Sequence, residues 1–154
     1  MSQIPREKMQ QQFKIINYMG LAMIGTLYIY AAVVLAIDLG YIPSITPRPL
    51  ESGILTKLKY ILLFISMMFY IIMWFVKKST LKKSTITFIK GTLVIWALCE
   101  AVGIYGLVLF ILGHNSTDFF IFMALSLLYF FVFYPRYADF ERLWSQASSA
   151  APSD

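Results

Sequence analysis

The sequence predicts an all-α integral membrane protein, a bundle of four transmembrane helices with both termini on the cytoplasmic side. Of its 154 residues, 59% are hydrophobic and 17% are aromatic, whereas soluble domains contain about 45–50% apolar residues. The hydrophobic residues fall into four long runs, and most Lys and Arg residues lie at alternate ends of these runs. The first pattern indicates a bilayer, and the second indicates an orientation within it.

Each apolar run has about the length that crosses the hydrocarbon core of a bilayer as a helix. We expect the spans at about residues 15–39, 58–76, 88–112 and 119–134. Barrel strands are excluded because the runs are too long and unbroken. With their connections the spans form one membrane domain, residues 1–144, and we expect the small polar tail, residues 145–154, to be disordered.

Basic residues mark one side of the bundle. Ten of the thirteen Lys and Arg residues lie before the first span, in and beside the connection KKSTLKKST, or after the fourth span. The other three are Arg48, Lys57 and Lys59, in or beside the first connection. The positive-inside rule therefore predicts that both termini of this multi-pass protein face the cytoplasm, in an inner or plasma membrane. The same distribution accounts for the net charge of +5 without a nucleic-acid partner.

Glu100 is an acidic residue near the middle of the third span. An isolated carboxylate there costs roughly 2.5–3.5 kcal/mol on insertion scales, so we expect the group to be protonated, ion-bound or paired. One interpretation is a proton- or cation-binding site in a helix interface. The other is a protonated Glu that donates one structural hydrogen bond to a neighbouring helix. The residue type and position are compatible with both interpretations.

Small residues surround this position on the third span. Gly103 lies about one helical turn from Glu100 and leaves a notch beside the carboxyl group, and Ala97 and Gly106 reduce the neighbouring surface. Because small residues let helix backbones approach each other, Ala97, Gly103 and Gly106 are predicted to form a helix interface.

The segment that starts at Glu100, EAVGIYGLV, resembles the carboxylate-bearing helix of rotary-ATPase proteolipids, in which an acid precedes an Ile/Leu-Tyr-Gly-Leu-Val run. The resemblance implies that Glu100 binds one proton or sodium ion, on the second helix of a hairpin with a cytoplasmic loop. The first helix of that hairpin, ILLFISMMFYIIMWFV, lacks the glycines of a ring's inner helix. We therefore expect a similar acid in a different complex.

Other polar residues have simpler interpretations. Asp38 and Asp118 are expected to be solvated or capping residues at the outer interface, with Asp118 as the N-cap of the fourth helix. The polar residues within the spans are expected to act as weak interhelical contacts: Asn17, Thr26, Ser66, Thr92 and Ser126. The segment FYPRYADFERLW is compatible equally with an interfacial or docking helix and with a membrane anchor.

The remaining residues do not indicate an enzyme, a metal site or a cofactor. His114 is the only histidine and Cys99 the only cysteine, so no bis-histidine haem site or CxxC pair is encoded. We therefore expect a small membrane subunit in contact with lipid and with other membrane subunits or copies of itself. It would bind or relay a proton or cation through Glu100 in an energy-transducing or transport complex, or serve as a structural accessory subunit.

Overall fold

The computed structural model describes residues 6–43, 51–81 and 85–149, and within these residues every regular element is an α-helix. The helices are α1 (Arg6–Asp38), α2 (Ser52–Thr80), α3 (Thr85–Gly113), α4 (Ser116–Phe133) and α5 (Tyr137–Ser149). Four segments are long and apolar enough to cross a membrane: Gln10–Asp38, Ser52–Thr80, Ile86–Gly113 and Ser116–Phe133. The expectation of four apolar helices is therefore confirmed, although all four begin earlier than the predicted spans.

A left-handed glycine ends α1. Gly40 has φ = 78°, a conformation that is free of strain only for a residue without Cβ. Its N–H donates to the carbonyl of Ile37 at 3.0 Å, and the N–H of Tyr41 donates to the carbonyl of Ala36 at 2.9 Å. This pair of bonds is the Schellman motif, which satisfies carbonyl groups at the end of the helix.

A tight turn of His114 and Asn115 joins α3 to α4. His114 takes a positive φ of 51°, and the Asn115 side chain accepts a hydrogen bond from the backbone N–H of Thr117 at 3.1 Å. Asn115 is therefore the N-cap of α4, and the prediction that Asp118 holds this position is wrong. Asp118 lies in the first turn instead, where its carboxylate pairs with Lys59 of α2.

The centre of the bundle is α3, which packs against the other four helices. Both α1 and α2 pack on the α3–α4 pair, and among the described residues α1 and α2 do not contact each other. The two outer helices therefore lie on opposite sides of a central pair. This arrangement leaves one polar seam, between α1 and α3, separate from the apolar seam between α2 and α3.

The C-terminal helix α5 packs beneath the starts of α1 and α3. Phe140 is fully buried, with its ring 5.5 Å from that of Phe13 and 6.1 Å from that of Phe88. The start of α1 and the last described helix thus lie at the same end of the bundle. Residues 145–149 belong to α5 rather than to a disordered tail, because Phe140 and Leu143 anchor an amphipathic helix; residues 150–154 lie outside the described residues.

Candidate functional site

Glu100 lies at the outer edge of the seam between α1 and α3. Its side chain is half-buried, and Ala97 and Ile104, which precede and follow it on the same side of α3, are exposed. The carboxyl group therefore borders both the interior of the bundle and the surface that would face lipid or another membrane protein.

Two hydroxyl groups of α1 hold the carboxyl group. Thr26 Oγ1 lies 2.8 Å from Glu100 Oε1, and the Tyr30 hydroxyl donates to the same oxygen at 3.3 Å. Thr26 and Tyr30 are four residues apart, so they lie on one face of α1 and approach Glu100 from successive turns. The sequence predicts only a weak interhelical contact for Thr26, and nothing in it indicates Tyr30 beyond the i, i+4 spacing of Tyr30 from Thr26.

The Thr26 hydroxyl has two possible hydrogen-bond partners. Thr26 Oγ1 also lies 2.7 Å from the carbonyl oxygen of Met23, the bond that a threonine within a helix commonly donates. A hydroxyl has one proton to donate. If that proton bonds Met23, the Thr26 oxygen faces Glu100 as an acceptor, and the short contact is satisfied when the Glu100 carboxyl is protonated and donates.

Glycines allow α3 to approach its neighbours on the buried side of this site. A Cβ at Gly103 would collide with Leu27 of α1, and one at Gly106 would lie 2.8 Å from Phe122 Cβ and 3.0 Å from the Phe119 carbonyl oxygen of α4. Both glycines are buried, as expected of an interface. Ala97, the third residue predicted there, is exposed on the opposite side of α3, so it lies outside this interface.

The other intramembrane polar residues divide into two groups. Ser126 of α4 donates to the backbone carbonyl of Cys99 at 2.6 Å, and Asn17 accepts a bond from the Tyr134 hydroxyl at 3.2 Å, so these two connect helices. Ser66 and Thr92 donate to carbonyl groups of their own helices. Only the first group contributes polar contacts between elements through its side chains.

Trp96 lies one turn before Glu100 on α3 and is fully buried. Its six-membered ring fills the space over Gly20 of α1, where a Cβ would lie 2.8 Å from Cη2 and Cζ2. The indole Nε1–H finds no hydrogen-bond acceptor among the described residues. This buried donor is a feature that the sequence did not reveal, because nothing in the spacing of Trp96 indicates which way its N–H points.

Within the described residues, no group of three His, Cys, Asp or Glu side chains could hold a metal ion. The side chains that meet at the site are one carboxyl group and the hydroxyl groups of Thr26 and Tyr30. Comparison of the chain with protein-family models, curated proteins and solved structures gives no match.

Proposed function

We propose that this protein is a small multi-spanning membrane subunit that binds and releases a proton through Glu100 within a larger energy-transducing or transport complex. The proposal is supported chiefly by the Thr26 and Tyr30 hydroxyl groups, which lie within hydrogen-bond distance of the Glu100 carboxyl group in an otherwise apolar span. A proton is favoured over a metal cation because the partners of Glu100 are hydroxyl groups rather than further carboxylates or carbonyls.

The half-buried position of Glu100 also supports proton exchange. A structural acid in the core would be fully buried, whereas Glu100 is only half-buried and lies between the exposed Ala97 and Ile104. When the proton leaves, the Tyr30 hydroxyl and the Thr26 hydroxyl can both donate to the resulting carboxylate. The site therefore offers hydrogen bonds to each protonation state of Glu100.

The orientation that we propose places both termini in the cytoplasm. Lys77 of α2 donates to the Val132 carbonyl near the end of α4 at 3.4 Å, so the basic end of α2 adjoins the end of the bundle that holds α5. By the positive-inside rule that end is cytoplasmic. A reporter that is active only outside the cytoplasm should be inactive when fused after Asp154 and active when inserted near Thr46. The reverse pattern would contradict this orientation.

Carbodiimide labelling tests the proton-binding role directly. Dicyclohexylcarbodiimide reacts with protonated carboxyl groups in apolar surroundings, so the protein in lipid nanodiscs should be labelled at Glu100, with a rate that falls as pH rises. Mass spectrometry of the labelled peptide gives the site. The exposed Glu51 and Glu141 are internal controls that should stay unlabelled, and Glu100→Gln should remove the adduct. A labelling rate that does not change with pH would contradict the proposal.

The second candidate is a structural accessory subunit. It is favoured by the hydrogen bond between Thr26 and Glu100, because this bond joins α1 to α3. A carboxyl group that only donates a hydrogen bond can be replaced by an amide of the same shape, whereas one that exchanges a proton cannot. We expect Glu100→Gln to leave co-purification with partner subunits in mild detergent intact and to abolish proton coupling of the assembly. Full coupling in Glu100→Gln would favour the accessory role instead.

A further inference from the structure

Basic side chains from two parts of the chain meet where α2 and α4 end. Lys77 lies in the last turn of α2, where its Nζ donates to the Val132 carbonyl of α4 at 3.4 Å and lies 5.6 Å from the centre of the Phe133 ring. Arg136 follows in the connection from α4 to α5 and repels Lys77 electrostatically, whereas Asp139 in the first turn of α5 attracts it. The ends of α2 and α4 therefore bring two cations together.

Neither cation has a carboxylate partner in direct contact. Among the described residues the one salt bridge joins Lys59 to Asp118, near the opposite end of α2, so Asp139 does not pair directly with Lys77 or Arg136. The Lys77 ammonium group has three N–H donors, and its bond to the Val132 carbonyl uses one of them. Arg136 is exposed, and its guanidinium group has five donors in a planar fork. Both groups can therefore donate to an anion from outside the chain.

An apolar strip leads from these cations towards the middle of the bundle, on the surface between α2 and α4. Tyr70 lies two turns before Lys77 on the same face of α2, and its ring is 5.3 Å from that of Phe133. On α4, Leu128 and Val132 are one turn apart and exposed, as is Tyr70. We call Tyr70, Leu128 and Val132 the α2–α4 strip. It extends about 10 Å along the helices, since an α-helix rises about 1.5 Å per residue.

The position of the two cations in the membrane indicates what covers the strip. The apolar span of α2 is Ser52–Thr80, so Lys77 lies near the end of a helix that crosses the bilayer, at the depth of the lipid headgroups. A lipid phosphate group accepts hydrogen bonds from an ammonium group and from the paired donors of a guanidinium group. The acyl chain of the same lipid extends from its headgroup towards the middle of the bilayer, as the α2–α4 strip does. A free phosphate ion would contact the cations and leave the strip uncovered.

We infer that Lys77 and Arg136 bind the phosphate group of an anionic phospholipid, whose acyl chain lies along the α2–α4 strip. Lys78, whose Nζ lies 5.0 Å from the centre of the Trp74 ring, adds a third positive charge beside the site. The proposed orientation places this end of the bundle in the cytoplasmic leaflet, where anionic lipids attract basic side chains. The inference does not depend on the proton-binding role of Glu100, which lies between α1 and α3.

Lipid binding by the purified protein tests the inference. Native mass spectrometry in mild detergent counts the lipids bound during titration with phosphatidylglycerol or with phosphatidylcholine of the same acyl chains. We expect one phosphatidylglycerol per chain to bind at least about tenfold more tightly than phosphatidylcholine, because two basic residues face its net negative charge. Inorganic phosphate at the same concentration should not displace it. Equal affinities for the two lipids would overturn the inference, and displacement by inorganic phosphate would assign the cations to a free anion and overturn the lipid site.

Neutral variants locate the site. Lys77→Gln and Arg136→Gln should each bind phosphatidylglycerol about fivefold more weakly, as expected for one basic residue near an anionic lipid surface, and Lys77→Arg should keep the wild-type affinity. Lys90→Gln is the matched control, because Lys90 is an exposed basic residue towards the same end of the bundle, on α3; its affinity should be unchanged. If Lys77→Gln does not fold, the exposed Arg136 carries the test. Wild-type affinity in Arg136→Gln, or an equal loss in Lys90→Gln, would overturn the site.

Discussion

Two of the interfaces of α3, one with α4 and one with α1, are built from different contacts. Against α4, the backbone approaches at Gly106, and the buried Ser126 hydroxyl donates to the Cys99 carbonyl. Against α1, the contact is made by longer side chains, with the Thr26 and Tyr30 hydroxyls bonded to the half-buried Glu100. We therefore expect the α3–α4 interface to contribute more to the stability of the bundle than the α1–α3 interface, which carries the ionisable group.

The largest effect should come from filling the closest approach between α3 and α4. In Gly106→Ala, the new Cβ would meet Phe122 Cβ and the backbone of Phe119, which cannot rotate away, so we expect a loss of about 1–3 kcal/mol of unfolding free energy. The measurement is reversible unfolding in mixed micelles. Gly25→Ala is the matched control, because nothing lies within 4 Å of a Cβ there. Equal stability of the two variants would contradict the close-packed seam.

A smaller loss is expected from the polar contact in the same seam. Ser126→Ala removes a buried interhelical hydrogen bond at little change in volume, and such bonds contribute about 0.6 kcal/mol on average and up to about 1.7 kcal/mol within membranes. We expect a value in the upper part of this range because the bond is 2.6 Å long and fully buried. The same unfolding assay applies. If Ser126→Ala is more stable than the wild type, the buried hydroxyl group destabilises the fold and the hydrogen bond does not offset the cost of burying it.

The corresponding change in the other seam should cost less. Thr26→Val keeps the shape of the side chain and removes the oxygen that faces Glu100, with an expected loss of about 0.6 kcal/mol because the pair is only partly buried. The Thr26→Val and Glu100→Gln variants and their double variant form a cycle that isolates the coupling between the two side chains. If Thr26→Val loses more unfolding free energy than Ser126→Ala, the α1–α3 interface contributes more to stability than the α3–α4 interface, contrary to our expectation.

The smallest effect should follow from the loss of the Tyr30 hydroxyl. Its distance of 3.3 Å to Glu100 Oε1 is long for a bond between oxygens, so Tyr30→Phe should change stability by only a few tenths of a kcal/mol. The informative measurement is carbodiimide labelling across pH, since the hydroxyl can donate to the ionised carboxyl group. Labelling of Tyr30→Phe that persists to higher pH than in the wild type would support that role. An unchanged profile would show that Thr26 is the only one of the two hydroxyl partners that affects Glu100.

Hydropathy along the chain was sufficient to predict the helical class and the four apolar helices, because a backbone in lipid must satisfy its own hydrogen bonds whatever its neighbours are. The small residues of the third span predicted a helix interface there, and a Cβ at Gly103 or Gly106 would lie too close to atoms of a neighbouring helix. Local patterns were less reliable at the ends of helices. Asn115 and Asp118 are both good N-cap residues, and the turn at His114 and the pairing of Asp118 with Lys59 decided between them. Residues 145–149 are polar, yet they are helical because α5 packs on Phe13 and Phe88 through Phe140.

The sequence by itself determined that a carboxyl group lies in the middle of a transmembrane helix, since that depends only on the position of Glu100 in an apolar run. The tertiary structure decided what the carboxyl group contacts. Thr26 and Tyr30 are 74 and 70 residues away along the chain, and only the packing of α1 on α3 brings their hydroxyls to Glu100. The same packing buries the Trp96 N–H without an acceptor among the described residues and leaves Ala97 exposed. Helical periodicity places residues on a common face of one helix, but which face meets which neighbour depends on the packing of the whole bundle.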